Sequence, residues 1–141
     1  MKAVIQRVIK SSVEVNGEKI DEIKKGLCVL IGFEKEDTEE KIDKMIKKII
    51  NMRLFGEKFS KSILDIKGEI LLIPNFTIPA ITKKGTRPNF QNSMPPDEAK
   101  KYYNLMLDKL NRYIITKSGI FGADMKVNII NDGPVTIILE V

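Results

Sequence analysis

A mixed α/β single domain spanning residues 1–141, with a curved mixed sheet or partly closed β-barrel packed by two helices, is the fold class the sequence predicts. Three observations point to it. Runs dense in β-branched residues recur from the second residue to the last, two segments switch to helical spacing with one apolar face, and the element order β, β, β, α, β, loop, α, β, β is broken by no internal repeat or low-complexity linker. A chain of this length buries roughly two thirds of the surface its unfolded form exposes, so no disulfide or metal is needed to hold it.

Each element follows from local chemistry. Residues 2–9, KAVIQRVI, favour a strand, and Asn16-Gly17 between alternating residues is a strong hairpin signal, so the chain opens with a β-hairpin. GLCVLIGF, 26–33, is a continuous apolar run of the length expected for a strand buried on both faces. In EDTEEKIDKMIKKIINMRLF, Asp37 or Thr38 serves as N-cap, acidic residues fill the first turn, and Ile42, Met45, Ile46, Ile49 and Ile50 recur at helical spacing; the helix ends before Gly56. GEILLIPNF, 68–76, is a strand that Pro74 turns into a loop, because proline cannot donate to a ladder. The proline-rich stretch TIPAITKKGTRPNFQNSMPP then predicts a long ordered loop of the kind that tends to carry function. A second helix begins at PPDEAKK, with Ala99, Tyr103, Met106, Leu107, Leu110, Tyr113 and Ile114 on one face. Two closing strands, about 125–131 and 135–140, are joined by Asn131-Asp132-Gly133-Pro134, which reads locally as a tight turn.

Composition removes whole classes of chemistry. With no histidine, the chain has no Ser-His-Asp or Cys-His catalysis and almost no zinc chemistry open to it. The lone Cys28 sits in an apolar run, where it reads as a small buried hydrophobe, and a single cysteine fits a reducing cytoplasmic compartment. No apolar leader follows Met1 and no stretch approaches a membrane span, which predicts a soluble, untargeted protein. Lys and Arg number 24 against 19 Asp and Glu, and the net charge of +5 favours a polyanionic partner without demanding one.

Three places can carry chemistry. In PNFTIPA, Asn75 and Thr77 lie beside backbone N–H groups around Phe76 that could bind a carbonyl or an oxyanion, or they could simply cap the turn. In KKGTRPNF, Lys83, Lys84 and Arg87 can reach phosphates while Phe90 offers a ring for a base to stack on; a solvated turn is the alternative. Arg7 interrupts an apolar strand, so its guanidinium either reaches solvent or holds nearby carbonyls. No carboxylate pair, phosphate-binding glycine loop or Cys/His cluster stands out.

Taken together, AVIQRV, GLCVLIGFEKEDTEEKIDKM, FTIPA with GTRPNF, GIFGADM and the terminal NDGPVTIILEV resemble the D-aminoacyl-tRNA deacylases, in register over essentially the whole chain. The resemblance implies that family's fold, a cytoplasmic homodimer, and hydrolysis of the ester joining a D-amino acid, or glycine on a mismatched transfer RNA, to the terminal ribose. It implies no metal or organic cofactor and no membrane partner. It places Thr77 and Phe76 at the catalytic loop with Asn75 beside them, and with such a substrate the Lys83, Lys84 and Arg87 cluster is the expected transfer-RNA contact. Chiral selection falls to Gly133-Pro134, cis in the family and inserted into the partner's active site, propped by Arg7 and accompanied by Phe90 and Met125. Asparagine and proline stand at 75 and 74 where the family usually has Gln and Ser. A proline there is similar to relatives that act on mischarged L-alanine, and a transfer-RNA-binding module without catalysis is the other alternative.

Overall fold

The computed structural model describes all of residues 1–141. Its spine is β1 (Lys2–Val15), which turns at Asn16 and Gly17, both with positive φ, into β2 (Glu18–Ile23). That is the predicted hairpin. β1 also pairs antiparallel with β3 (Gly26–Gly32), and β3 lies parallel to β6 (Glu69–Pro74), which in turn lies parallel to β7 (Thr116–Ser118). The order β2-β1-β3-β6-β7 curls until its two ends approach. Lys117 on β7 reaches to 3.6 Å from the Asp21 carboxylate on β2, and this closure makes the sheet nearly a barrel.

β3 and, after Glu69, β6 are apolar runs because both of their faces are largely covered. Leu27, Val29, Ile31, Ile70 and Leu72 belong to the large core under the helices, whereas Cys28, Leu71 and Ile73 join Val8, Val13 and Ile23 in a smaller one. α1 (Glu39–Asn51) and α2 (Pro96–Asn111) close the larger core. Thr38 caps α1 by accepting from the Lys41 N–H, and the five predicted apolar residues are all buried. Asp37, the other candidate cap, is buried instead and accepts from the Met1 ammonium and the Glu34 N–H. Tyr103 donates from α2 to the Leu72 carbonyl at 2.6 Å. Tyr113 departs from expectation: it lies past the end of α2 and is 60% exposed, because the chain has left the helical spiral that would have turned it inward.

Between α1 and β6 runs a small ribbon the periodicity did not reveal, β4 (Arg53–Phe55) paired with β5 (Lys61–Ser62) across a tight turn at Glu57–Phe59. The end of the chain is a larger correction. In place of two strands joined by a turn there is one strand, β8 (Lys126–Glu140), antiparallel to β1 on both sides of the Gly-Pro pair. Gln6 pairs with Thr136 and Val8 with Asn131, so Asp132, Gly133, Pro134 and Val135 stand opposite Arg7 alone. The β1 strand is long enough to pair both halves of β8, and the surplus residues are extruded as a bulge. No helix is long and apolar enough to cross a membrane.

Candidate active site

The loop after β6 is held to the sheet as far as the Asn75 N–H, which donates to the Ile31 carbonyl at 2.8 Å. Beyond it the Asn75 side chain organises the turn: its carbonyl oxygen accepts from the Thr77 hydroxyl at 2.6 Å and from the Thr77 N–H at 3.3 Å. An oxygen accepting two such bonds is a turn cap, and it is not a base that could activate the hydroxyl. The Phe76 N–H makes no hydrogen bond within the chain. The Phe76 carbonyl accepts from Ser93 Oγ, and the exposed Phe76 ring packs against Phe90 with 5.3 Å between centroids.

Beside these groups opens a cavity of about 390 Å³ whose walls include Asn75, Phe76, Phe90, Phe121, Ala123 and Met125. The predicted Asn75, Phe76, Phe90 and Met125 are therefore gathered at one place, while Thr77 sits exposed beside it and does not line it. The lining holds no carboxylate, thiol or cation. Lys83, Lys84 and Arg87 lie apart from the cavity on an exposed loop closed at its base by paired Ile81 and Asn89, one residue before Phe90. Cys28 is not involved: burial raises its thiol from 9.0 to about 11, partly countered by a Ser11 hydrogen bond, so it stays neutral. No three of the Cys, Asp and Glu side chains converge as a metal site would require.

The remaining predicted residues form a second constellation. Arg7 donates from Nη1 to the Leu54 carbonyl at 2.7 Å and from Nε to the Asp132 carbonyl at 3.1 Å, with the Asp132 carboxylate at 3.4 Å. Of its two open readings, holding carbonyls is the one realised. Gly133-Pro134 is a cis peptide, Gly133 has φ 127, and both residues are exposed. The bulge is closed from its other end by Asn131, whose Oδ1 accepts from the Val135 N–H at 3.1 Å and whose Nδ2 donates to Thr136 at 3.0 Å. Asn131, Thr136 and the Leu54 carbonyl were missed in the sequence. Asn131 did carry a signal, as an Asx residue beside Gly-Pro, but it read as turn chemistry. None of Arg7, Gly133 and Pro134 lines the cavity of their own chain.

Comparison with known proteins places the whole chain. The sequence model described as D-Tyr-tRNA(Tyr) deacylase matches residues 4–140. A Nautilia profundicola protein called D-aminoacyl-tRNA deacylase is 69% identical over 141 residues, with 100% of both chains covered. An Aquifex aeolicus protein of the same name is 49% identical over 144 residues, covering 99% of this chain and 97% of its own. Among solved structures, one described as c-Myc DNA Unwinding Element Binding Protein superposes with a TM-score of 0.96 at 44% identity, covering 100% of this chain and 99% of that one. A probable eukaryotic D-amino acid tRNA deacylase shares the fold, with a TM-score of 0.86 at 14% identity and coverage of 99% and 98%.

Proposed function

The chain belongs to the D-Tyr-tRNA(Tyr) deacylase family, and from that premise we propose how its two constellations divide the work. The protein is a hydrolase that cleaves the ester of D-aminoacyl-tRNA in translation proofreading. One observation carries the mechanism: Phe76, whose backbone N–H has no partner in the chain, lines a cavity without a carboxylate, thiol or cation, and the one hydroxyl there, Ser93, is bonded to the Phe76 carbonyl. A site so equipped can stabilise an oxyanion but cannot itself take a proton from water. The free 2′-hydroxyl of the terminal adenosine supplies that assistance. Water adds to the ester carbonyl, the Phe76 N–H holds the developing oxyanion, and the 3′-oxygen departs with a proton. Thr77, tied to Asn75, orders the turn that aims this N–H.

The other half of the site comes from a second copy. Gly133-Pro134 is exposed and lies outside its own chain's cavity, and Val4, Leu30 and Ile138 form an apolar row across paired strands with Ile138 75% exposed. Both features support a homodimer in which the pair enters the partner's cavity, rejecting L-aminoacyl esters by clash and receiving the D-amino group on main-chain carbonyls. Phe90 and Met125 flank the amino acid, and Lys83, Lys84 and Arg87 meet the RNA backbone. Cleavage of glycine from mismatched transfer RNA belongs to the same reading, as does a cytoplasmic location.

The mechanism is checked with D-tyrosyl-tRNA ending in 2′-deoxyadenosine or in ordinary adenosine. The deoxy substrate is expected to lose at least about a hundredfold in turnover, the scale of a positioned proton-transfer group. Thr77→Val stays within about tenfold of the native enzyme, since it removes one turn-capping bond. Full activity on the deoxy substrate, or abolition by Thr77→Val with folding and RNA binding intact, overturns the assignment. Preferential cleavage of L-alanyl-tRNA would mark the Pro74 relatives, and binding without cleavage an inactive module.

A further inference from the structure

Two consecutive non-glycine residues, Lys58 and Phe59, both have φ 54, in the left-handed region that L side chains rarely adopt. Core burial does not explain this, because the Phe59 ring is 53% exposed. The β4–β5 ribbon that carries the ring is anchored in the core by buried Leu54 and Phe55 on β4 and by buried Ile63 just after β5. What the strained turn achieves is to place the ring over Arg7, whose guanidinium carbon lies 5.9 Å from the ring centroid.

We infer that Phe59 is a positioning residue for chiral selection: the strained ribbon tip covers the Arg7 guanidinium with an aromatic face and thereby fixes the Asp132–Val135 bulge. The same ribbon grips Arg7 twice, through the Leu54 carbonyl at 2.7 Å and through the Phe59 ring. Arg7 passes that constraint on through the Asp132 carbonyl, and its Nη2 lies 3.1 Å from the point a Gly133 Cβ would occupy. A cation over a ring is attracted by the ring's quadrupole, an interaction an aliphatic side chain of similar volume cannot replace. The inference rests on the proposed role of Gly133-Pro134, so its test includes a readout independent of catalysis.

That test compares Phe59→Ala, Phe59→Leu and Phe59→Tyr for hydrogen exchange of the Val135 amide, which Asn131 holds at 3.1 Å, and for the D-to-L ratio of kcat/KM on tyrosyl-tRNA. Ala and Leu are expected to speed exchange and lower the ratio by about two- to fivefold, the scale of one partly exposed cation–π contact, while Tyr stays at the native values. Unfolding midpoint and dimer content should remain native in all three. A Leu variant matching the native protein, an Ala variant with unchanged exchange, or changes that only follow a falling midpoint would each overturn the inference. Absence of D-tyrosyl-tRNA cleavage by the native enzyme would refute the proposed function, and the exchange comparison would still decide the role of Phe59.

Discussion

At the scale of single residues, the site depends on atoms that are absent. Gly32 ends β3 against the loop that follows β6, and a Cβ there would lie 2.5 Å from Pro79 Cδ and 2.8 Å from Ile78 Cβ. Gly32→Ala must therefore push the Phe76 turn off the sheet. A stability loss of about 1–3 kcal/mol, typical of overpacking, is expected in urea unfolding, with a larger fractional loss in kcat than in transfer-RNA affinity. Equal losses in both would disconnect Gly32 from the loop. Cys28 allows a pH experiment. Its folded thiol titrates near 11 against 9.0 for a free one, so above pH 9 the unfolded chain sheds a proton that the native chain retains. This contribution to stability is complete below pH 9 and is lost as pH rises towards 11, at about 1.4 kcal/mol per pH unit. Cys28→Ala should unfold with a flatter pH dependence over that window, and parallel curves would refute the assignment. The burial of Cys28 was legible from its apolar neighbours. The unpartnered Phe76 N–H was not, because a free backbone donor is defined by where every other acceptor has gone.

At the scale of elements, long periodic segments were readable and short or irregular ones were not. The faces of α1 and the two-sided burial of β3 follow from patterns many residues long. β4, β5 and β7 span three residues or fewer, too short to establish any period. The final strand misled for another reason: Gly133 and Pro134 disfavour a ladder locally, and only the fourteen residues of β1 alongside show that the ladder resumes in the same direction. What closes the bulge is the Asn131 side chain, standing in for the ladder bonds the bulge has lost. Asn131→Ala removes both of its bonds. It should cost about 1–2 kcal/mol in urea unfolding, the net value of one or two hydrogen bonds, and accelerate exchange at Val135. An unchanged exchange rate would mean that Arg7 alone defines the bulge.

At the scale of the whole molecule, the cavity and the Gly133-Pro134 bulge do not meet within one chain, and the proposed function makes them halves of one site. The cavity has a wall of Phe76, Phe90 and Met125 but no contact with Gly133-Pro134, and the bulge has its Arg7 support but no cavity. Composition and periodicity carry no information about a second copy, so the proposed division entered only through the family resemblance. A mixed-dimer experiment tests it directly. Ala123→Trp fills the cavity, whose wall Ala123 forms. Gly133→Val distorts the bulge, because valine resists φ 127 and its Cβ would lie 3.1 Å from Arg7 Nη2. Each homodimer should fold yet fail on D-tyrosyl-tRNA. If cavity and bulge come from different chains, a heterodimer of the two variants holds one doubly damaged site and one intact site. Random reassociation should then restore about a quarter of native activity, since half of the dimers are mixed and half of their sites are whole. If each site lay within one chain, every site in the mixture would carry a lesion and no activity would return.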